Sequence, residues 1–263
     1  MESTSRDNHL IVYGSSYDRG LEHLLLMWPT IKESVPDAKL RIFYGWNLFD
    51  VGYKDNPERM AWKAKINGLM EQDGITHLGR ISHGAVVKEY ENAGIWAYPT
   101  HFGEISCITA MKAQVYGAIP MVVSYAALQE TVQFGIKIDG DIYDKETKDE
   151  YVAELISLLK DSERQEKIRS EMIPWAKSKF AWSSIAKQWS DEFKSNLSIE
   201  RQVAELMDNN QAIKAWNLVK ELGDDDYNGI KGRVYKIVRH AFDDREYKDY
   251  YSNHLTEIPV DES

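Results

Sequence analysis

Short apolar runs alternate with longer segments of helical periodicity over much of the chain. The apolar runs end in glycine, asparagine or other turn residues and have the length of buried strands: 9–13, 39–44, 75–78, 95–98 and 119–123. The segments between them carry apolar residues every three or four positions and predict helices: 21–35, 57–72, 83–92, the stretch after Glu104, and 127–133. This alternation predicts an α/β fold with right-handed crossovers and a doubly wound parallel sheet covered on both faces.

From residue 145 onward the pattern is helical only. The predicted helices are 151–159, 164–180, 183–196, 199–207, 211–222 and 228–242. An acidic run beginning at Gly223 marks the clearest break, and residues 256–263 are predicted to fray. We therefore predict an α/β domain over residues 1–196 and a helical extension over residues 197–263.

Four large apolar side chains recur at helical spacing along the predicted helix 183–196 and the residue directly before it. They are Trp182, Ile185, Trp189 and Phe193. Either they belong to the core of this chain or they pack on another domain, because large apolar side chains of this kind are normally covered.

Composition and charge narrow the range of functions. The chain has 263 residues, 43% of them hydrophobic, which is enough for a sizeable core. A net charge of −10 argues against broad binding to nucleic acid or to anionic membranes. No apolar run approaches the roughly 20 residues that span a bilayer, and the first residues lack the layout of a signal peptide. The single cysteine, Cys107, excludes an internal disulfide and fits a cytoplasmic protein.

The segment from Phe102 to Val123 carries the strongest chemical indication. It has the pattern of a loop, a helix and a buried strand, and Glu104 precedes the helix. The first amides of a helix lack intrahelical partners and carry a positive partial charge. We therefore expect the amides of Ser106, Cys107 and Ile108 to form a cradle for a diphosphate.

Several further motifs follow in a fixed order along residues 9–196. They are Gly14-Ser-Ser-Tyr-Asp-Arg-Gly20, the strand region 36–45, Leu78-Gly-Arg-Ile-Ser-His83, Tyr98-Pro-Thr100, Glu104 and Gly117-Ala-Ile-Pro120. Together they resemble the C-terminal, donor-binding half of retaining GT-B glycosyltransferases of the family 4 type. The resemblance implies a Rossmann-like sheet that binds a nucleotide-diphosphate sugar.

The resemblance also implies roles for individual residues. Glu104 would contact the donor sugar and support developing positive charge, as the catalytic residue. Arg19 would grip the diphosphate, with Gly14 and Ser16 in the same loop, and Arg80 would frame the nucleobase. For Glu104 the alternative is a helix-capping carboxylate, and for Arg19 it is a solvated residue at a helix start.

Lys112 departs from the family pattern. The family has a carboxylate there that accepts hydrogen bonds from both ribose hydroxyls, whereas an ammonium group can only donate. Lys112 either donates to a ribose oxygen or a phosphate, or lies at the surface. His101 is expected to be structural or solvated. The pair Asp139 and Asp141 is expected to form a turn rather than a metal site, and no metal is predicted.

The implied function is transfer of a sugar, with retention, from the nucleotide to an acceptor hydroxyl, with no cofactor other than this donor substrate. Family members have a second, N-terminal domain for the acceptor, so we expect the chain to correspond to about half an enzyme. A separate acceptor-binding domain or a homo-oligomer is the expected partner. The alternatives are a catalytically inactive binding or scaffolding subunit and one half of a split enzyme.

Overall fold

The structure, a computed structural model, describes residues 6–209 and 211–220. The chain divides into two compact units, Met1–Ser184 and Ile185–Ser263. Among the described residues, no helix is both long and apolar enough to cross a membrane.

Six parallel strands form one sheet in the first unit. They are β1 (Asp7–Tyr13), β2 (Lys39–Phe43), β3 (Ile75–Gly79), β4 (Ala93–Tyr98), β5 (Ile119–Val123) and β6 (Ile136–Ile138). Their order across the sheet is β3-β2-β1-β4-β5-β6. Every residue of β4 and β5 is buried, which explains why these strands have continuous apolar sequences rather than alternating ones.

Ten helices are described, and most of them connect consecutive strands. They are α1 (Leu21–Ser34), α2 (Asn47–Tyr53), α3 (Pro57–Leu69), α4 (His83–Asn92), α5 (Ile108–Tyr116), α6 (Leu128–Thr131), α7 (Lys145–Lys160), α8 (Ser162–Phe180), α9 (Trp182–Asp208) and α10 (Ala212–Val219). Helix α1 contacts α3 and α7, whereas α5 contacts α4 and α8. These two groups cover opposite faces of the sheet, so the predicted doubly wound α/β fold is confirmed.

Three local predictions were wrong or incomplete. Helix α2 was not predicted, because none of its residues is buried and it therefore leaves no apolar stripe in the sequence. Strand β6 was missed because it has only three residues, of which Lys137 is exposed. The helices predicted at 183–196 and 199–207 form one helix, α9, since neither glycine nor proline interrupts the sequence between them.

The helix predicted at 211–222 is observed as α10, and its last predicted residues lie outside the described part of the chain. The predicted helix 228–242, the break at Gly223 and the frayed residues 256–263 also lie outside it. The domain boundary at residue 196 stays a prediction.

The described part of the second unit has a small apolar core of its own. Val203, Ala215 and Val219 are buried there. In contrast, Trp182 is 82% exposed, Trp189 63% and Phe193 61%. Among the described residues, none of these three rings is therefore part of an apolar core.

Gly20 brings the loop after β1 against the end of β4. It has a φ of 111°, which favours glycine, and it directly precedes α1. A Cβ atom at this position would lie 2.3 Å from the carbonyl oxygen of Pro99, which follows β4. The close approach holds these two loops together at the carboxyl edge of the sheet.

We expect Gly20→Ala to destabilise the protein by about 2–4 kcal/mol, because the substitution adds both a steric overlap and an unfavourable φ. The matched control is Gly52→Ala in α2, where a Cβ would meet nothing within 4 Å. That variant should be neutral or more stable by up to about 1 kcal/mol. Urea unfolding of both variants measures the difference, and equal effects would contradict the packing argument.

Candidate donor-binding site

The loops that follow β1, β2, β3 and β4 open at the same edge of the sheet. In doubly wound sheets ligands bind beyond the carboxyl ends of the strands, where the strand order reverses. Here that reversal lies between β1 and β4.

A cavity of about 510 Å³ lies at this edge. Its walls come from the loop after β1, the end of β2 and the start of α2, the loop after β3 with helix α4, and the first two turns of α5. The polar or charged side chains among its lining residues are Tyr44, Asn47, Arg80, Ser82, His83, Tyr90, Thr109 and Lys112. Among the described residues, no aspartate or glutamate lines the cavity, although the chain as a whole carries a net charge of −10.

Two predicted site residues supply the cations of this cavity. Arg80 comes from the loop after β3 and is exposed, and Lys112 comes from α5 and is half-buried. Within residues 6–209 and 211–220, neither forms an ion pair with a carboxylate. Lys112 thus lines the cavity while remaining partly exposed, and its predicted contact with a ribose oxygen or a phosphate stays a prediction.

Arg19 and Glu104 pair with each other. Arg19 Nη1 lies 3.2 Å from Glu104 Oε1, and its guanidinium carbon lies 3.9 Å from the centre of the Phe102 ring. Burial acts to lower the pKa of Arg19, but the charge and hydrogen bond of Glu104, together with Tyr98 and Asp18, outweigh it and raise the pKa. Neither Arg19 nor Glu104 is among the described residues that line the cavity, and the diphosphate contact of Arg19 stays a prediction.

The carboxylate of Glu104 is also held by Tyr98, the last residue of β4. The Tyr98 hydroxyl donates to Glu104 Oε1 at 2.7 Å and accepts from Ser15 Oγ at 3.3 Å. Burial raises the pKa of Tyr98, which keeps the hydroxyl protonated as a donor. The sequence analysis did not assign Tyr98 a role. The sequence did offer an indication: Tyr98 ends a fully buried strand, and a buried tyrosine hydroxyl requires a hydrogen-bond partner.

Helix α5 begins at Ile108, later than predicted. Cys107 has a φ of −97° and a ψ of 88°, outside the helical region, and Ser106 is exposed ahead of it. The first intrahelical bond of α5 is donated by the Met111 amide to the Cys107 carbonyl, at 3.1 Å. The amides without intrahelical partners therefore extend through residue 110, and those of Thr109 and Ala110 lie near the buried Cys107 thiol. The predicted cradle of the Ser106, Cys107 and Ile108 amides stays a prediction.

The other predicted residues are placed as follows. Gly14 lines the cavity, and a Cβ there would lie 2.2 Å from the Phe43 ring. The carbonyl oxygen of Ser16 accepts a hydrogen bond from the Tyr13 hydroxyl at 2.8 Å. Cys107 is buried, and this burial raises the pKa of its thiol to about 11.

Among the described residues, no group of three histidine, cysteine, aspartate or glutamate side chains could hold a metal ion. The sequence 139–141 connects β6 to the turn before α7 without forming a helix or strand, as predicted.

Three aromatic side chains cluster on the other side of Gly20, around a second cavity of about 380 Å³. The ring centre of His23 lies 4.8 Å from that of Tyr143 and 5.8 Å from that of His101. His101 Nε2 and the Tyr143 hydroxyl are 3.2 Å apart. Burial lowers the pKa of His23 to about 4, so this ring is neutral at pH 7. His101 thus has a structural partner, as expected.

Comparison with known families identifies the chain. Residues 3–173 match the model of the family described as "Glycosyl transferases group 1", so the chain belongs to that family. A search of curated proteins gives no match.

Solved structures share the fold at low sequence identity. The pneumococcal O-GlcNAc transferase GtfA, in complex with UDP and GlcNAc, is similar with a TM-score of 0.57 and 16% identity over 73% of this chain and 37% of that one. Anabaena HepE, in complex with UDP-glucose, has a TM-score of 0.55 and 16% identity over 72% and 49%. Sucrose-phosphate synthase from Thermosynechococcus elongatus has a TM-score of 0.55 and 18% identity over 72% and 45%. The chain therefore spans less than half the length of each of these proteins.

We expect Tyr98→Phe to destabilise the protein by about 1–2 kcal/mol, because it removes a buried hydrogen bond to Glu104 and leaves Ser15 without its partner. The control is Tyr125→Phe, at a ring that is 47% exposed, which should change stability by less than about 0.5 kcal/mol. Chemical denaturation of both variants tests this, and equal stabilities would show that the bond contributes nothing net.

We also expect His23 to make stability depend on pH. Its folded-state pKa of about 4 lies below the ordinary value of 6.5, so the unfolded chain binds the extra proton between these values. Stability should therefore fall by roughly 2–4 kcal/mol as the pH drops from 6.5 to 4, with the full contribution present above 6.5. In His23→Phe this part of the decline should be absent. The exposed His83, replaced by Gln, is the control, and parallel curves for parent and His23→Phe would refute the assignment.

Proposed function

We propose that this chain is the donor-binding half of a retaining glycosyltransferase of the family 4 type. It would bind a nucleotide-diphosphate sugar and take part in transferring the sugar, with retention, to an acceptor hydroxyl. The observation that carries the proposal is the cavity at the carboxyl edge of the sheet. Of the residues that the structure describes, two cations without a carboxylate partner and no carboxylate line this cavity, which reaches the start of α5.

In this proposal the nucleoside lies against the loop after β3, where Arg80 and Ser82 line the cavity. The diphosphate lies near the first turn of α5, because the N-terminus of a helix favours an anion. Fixed donors of this kind stabilise the negative charge that builds on a diphosphate leaving group. The loop from Gly14 to Arg19, including Ser16, would border the same phosphates.

Glu104 would hold the sugar. Its two contacts with Arg19 and Tyr98 both use Oε1, which leaves Oε2 to accept from a sugar hydroxyl. The resemblance assigns Arg19 to the diphosphate. For that, Arg19 would have to exchange its contact with Glu104 for one with a phosphate.

The acceptor would bind to a domain outside this chain, either on the same polypeptide or on a partner, or across a homo-oligomer. The proposed chemistry involves no metal and no cofactor beyond the donor, and a cytoplasmic location is part of the proposal. Lys112 favours a second candidate function. A cation in the cavity where the family has a carboxylate is also compatible with a binding or scaffolding subunit that has lost activity.

Calorimetric titration with UDP, GDP and ADP, and with the corresponding glucose derivatives, tests the proposal. We expect one base to be preferred and its sugar derivative to bind more tightly than the bare diphosphate. In Glu104→Gln the ratio of these two affinities should fall toward one, because the sugar loses its charged acceptor. The control is Glu130→Gln, an exposed residue of α6, which should leave the ratio unchanged.

Absence of binding for all three nucleotides would eliminate the proposal. Binding without turnover, once an acceptor domain is supplied, would favour the scaffolding function. Proton NMR of the anomeric centre in any transfer product decides between retention and inversion.

A further inference from the structure

We propose that Lys112 is the principal cation for the diphosphate in this cavity, in the role that the family resemblance assigns to Arg19. The inference rests on the proposed function, since it concerns the same ligand. It makes a separate claim about which of two side chains neutralises the phosphates.

Arg19 already has two partners in this structure. Its guanidinium contacts Glu104 at 3.2 Å and covers the Phe102 ring at 3.9 Å. The Glu104 side chain is only 10% exposed, so removing its cationic partner would leave a carboxylate with little access to water. A phosphate that recruited Arg19 would have to compensate for both lost contacts.

The position of Lys112 leaves its ammonium group available to an anion in the cavity. It lines the cavity, is half-buried and has no carboxylate partner among the described residues. Its ammonium can therefore bind an anion without breaking an existing ion pair. No described residue of the cavity wall is acidic, so an anionic ligand meets no like charge from this part of the chain.

The position of Lys112 on α5 also determines where its side chain can reach. Thr109 and Lys112 are three residues apart on α5, so they share a face, and both line the cavity. Long side chains on a helix lean toward its N-terminus. We therefore expect the Lys112 ammonium to extend toward the first turn of α5, where the helix favours an anion.

Three variants of the full chain separate the roles: Lys112→Met, Arg19→Met and, as a control, Lys88→Met at an exposed position of α4 outside the cavity. The probes are UDP, GDP and ADP by calorimetry and inorganic pyrophosphate by NMR titration. We expect Lys112→Met to weaken binding of the preferred nucleotide and of pyrophosphate about tenfold to a hundredfold. Arg19→Met should weaken binding less than Lys112→Met does, and Lys88→Met should stay within about threefold of the parent protein. Lys112→Glu should weaken binding further.

The outcomes distinguish this inference from the proposed function. If Arg19→Met weakens binding tenfold while Lys112→Met does not, a nucleotide site exists but the inference is overturned. If Lys112→Glu strengthens nucleotide binding, Lys112 lies at the ribose rather than at the phosphates, and the inference is likewise overturned. If pyrophosphate binds through Lys112 but no nucleotide binds, the inference is supported and the proposed function fails. If neither probe binds the parent protein, both fail. Thermal unfolding of each variant verifies that the fold is retained.

Discussion

The parallel pairing of β1 with β4 determines where the functional elements lie. Ile11 is in register with Ile95, and Val12 with Trp96, at the centre of the sheet. The chain leaves β1 toward β2 on one side and leaves β4 toward β5 on the other. The loops after β1 and β4 therefore start at the same edge of the sheet and diverge, which leaves a crevice between them. The contact between Gly20 and Pro99 then fixes the distance between the loops. The ion pair of Arg19 with Glu104 joins the same two loops, and it depends on that distance.

Charge is distributed unevenly around this edge. The acidic side chain nearest to the start of α5 along the chain, Glu104, is neutralised by Arg19 and held by the Tyr98 hydroxyl, while the cavity keeps the cations Arg80 and Lys112. An overall negative protein can therefore present a locally positive cavity. A single carboxylate facing the cavity would offset much of that attraction, which explains why the partners of Glu104 matter for an anionic ligand.

Hydrophobic pattern alone predicted the sheet and its two helical layers, because buried strands and amphipathic helices leave strong periodic patterns. Helix α4 and strand β5 were predicted to the residue. The pattern failed where burial is weak, as in α2, or where the element is very short, as in β6. Site residues were only partly predictable. Motif order selected Gly14, Arg80, Ile108 and Lys112, which do line the cavity. The partners of Arg19 and Glu104 depend on three-dimensional contacts between distant loops, and no sequence spacing encodes the link from Ser15 through Tyr98.

The buried thiol ahead of α5 has a practical consequence. Cys107 is the chain's single cysteine, it is 4% exposed, and its pKa is about 11, so very little of it is thiolate at neutral pH. Alkylating reagents should leave it untouched in the folded protein. A cysteine introduced at an exposed position would then be the sole reactive group. A fluorophore or spin label could be attached there without first removing the native residue.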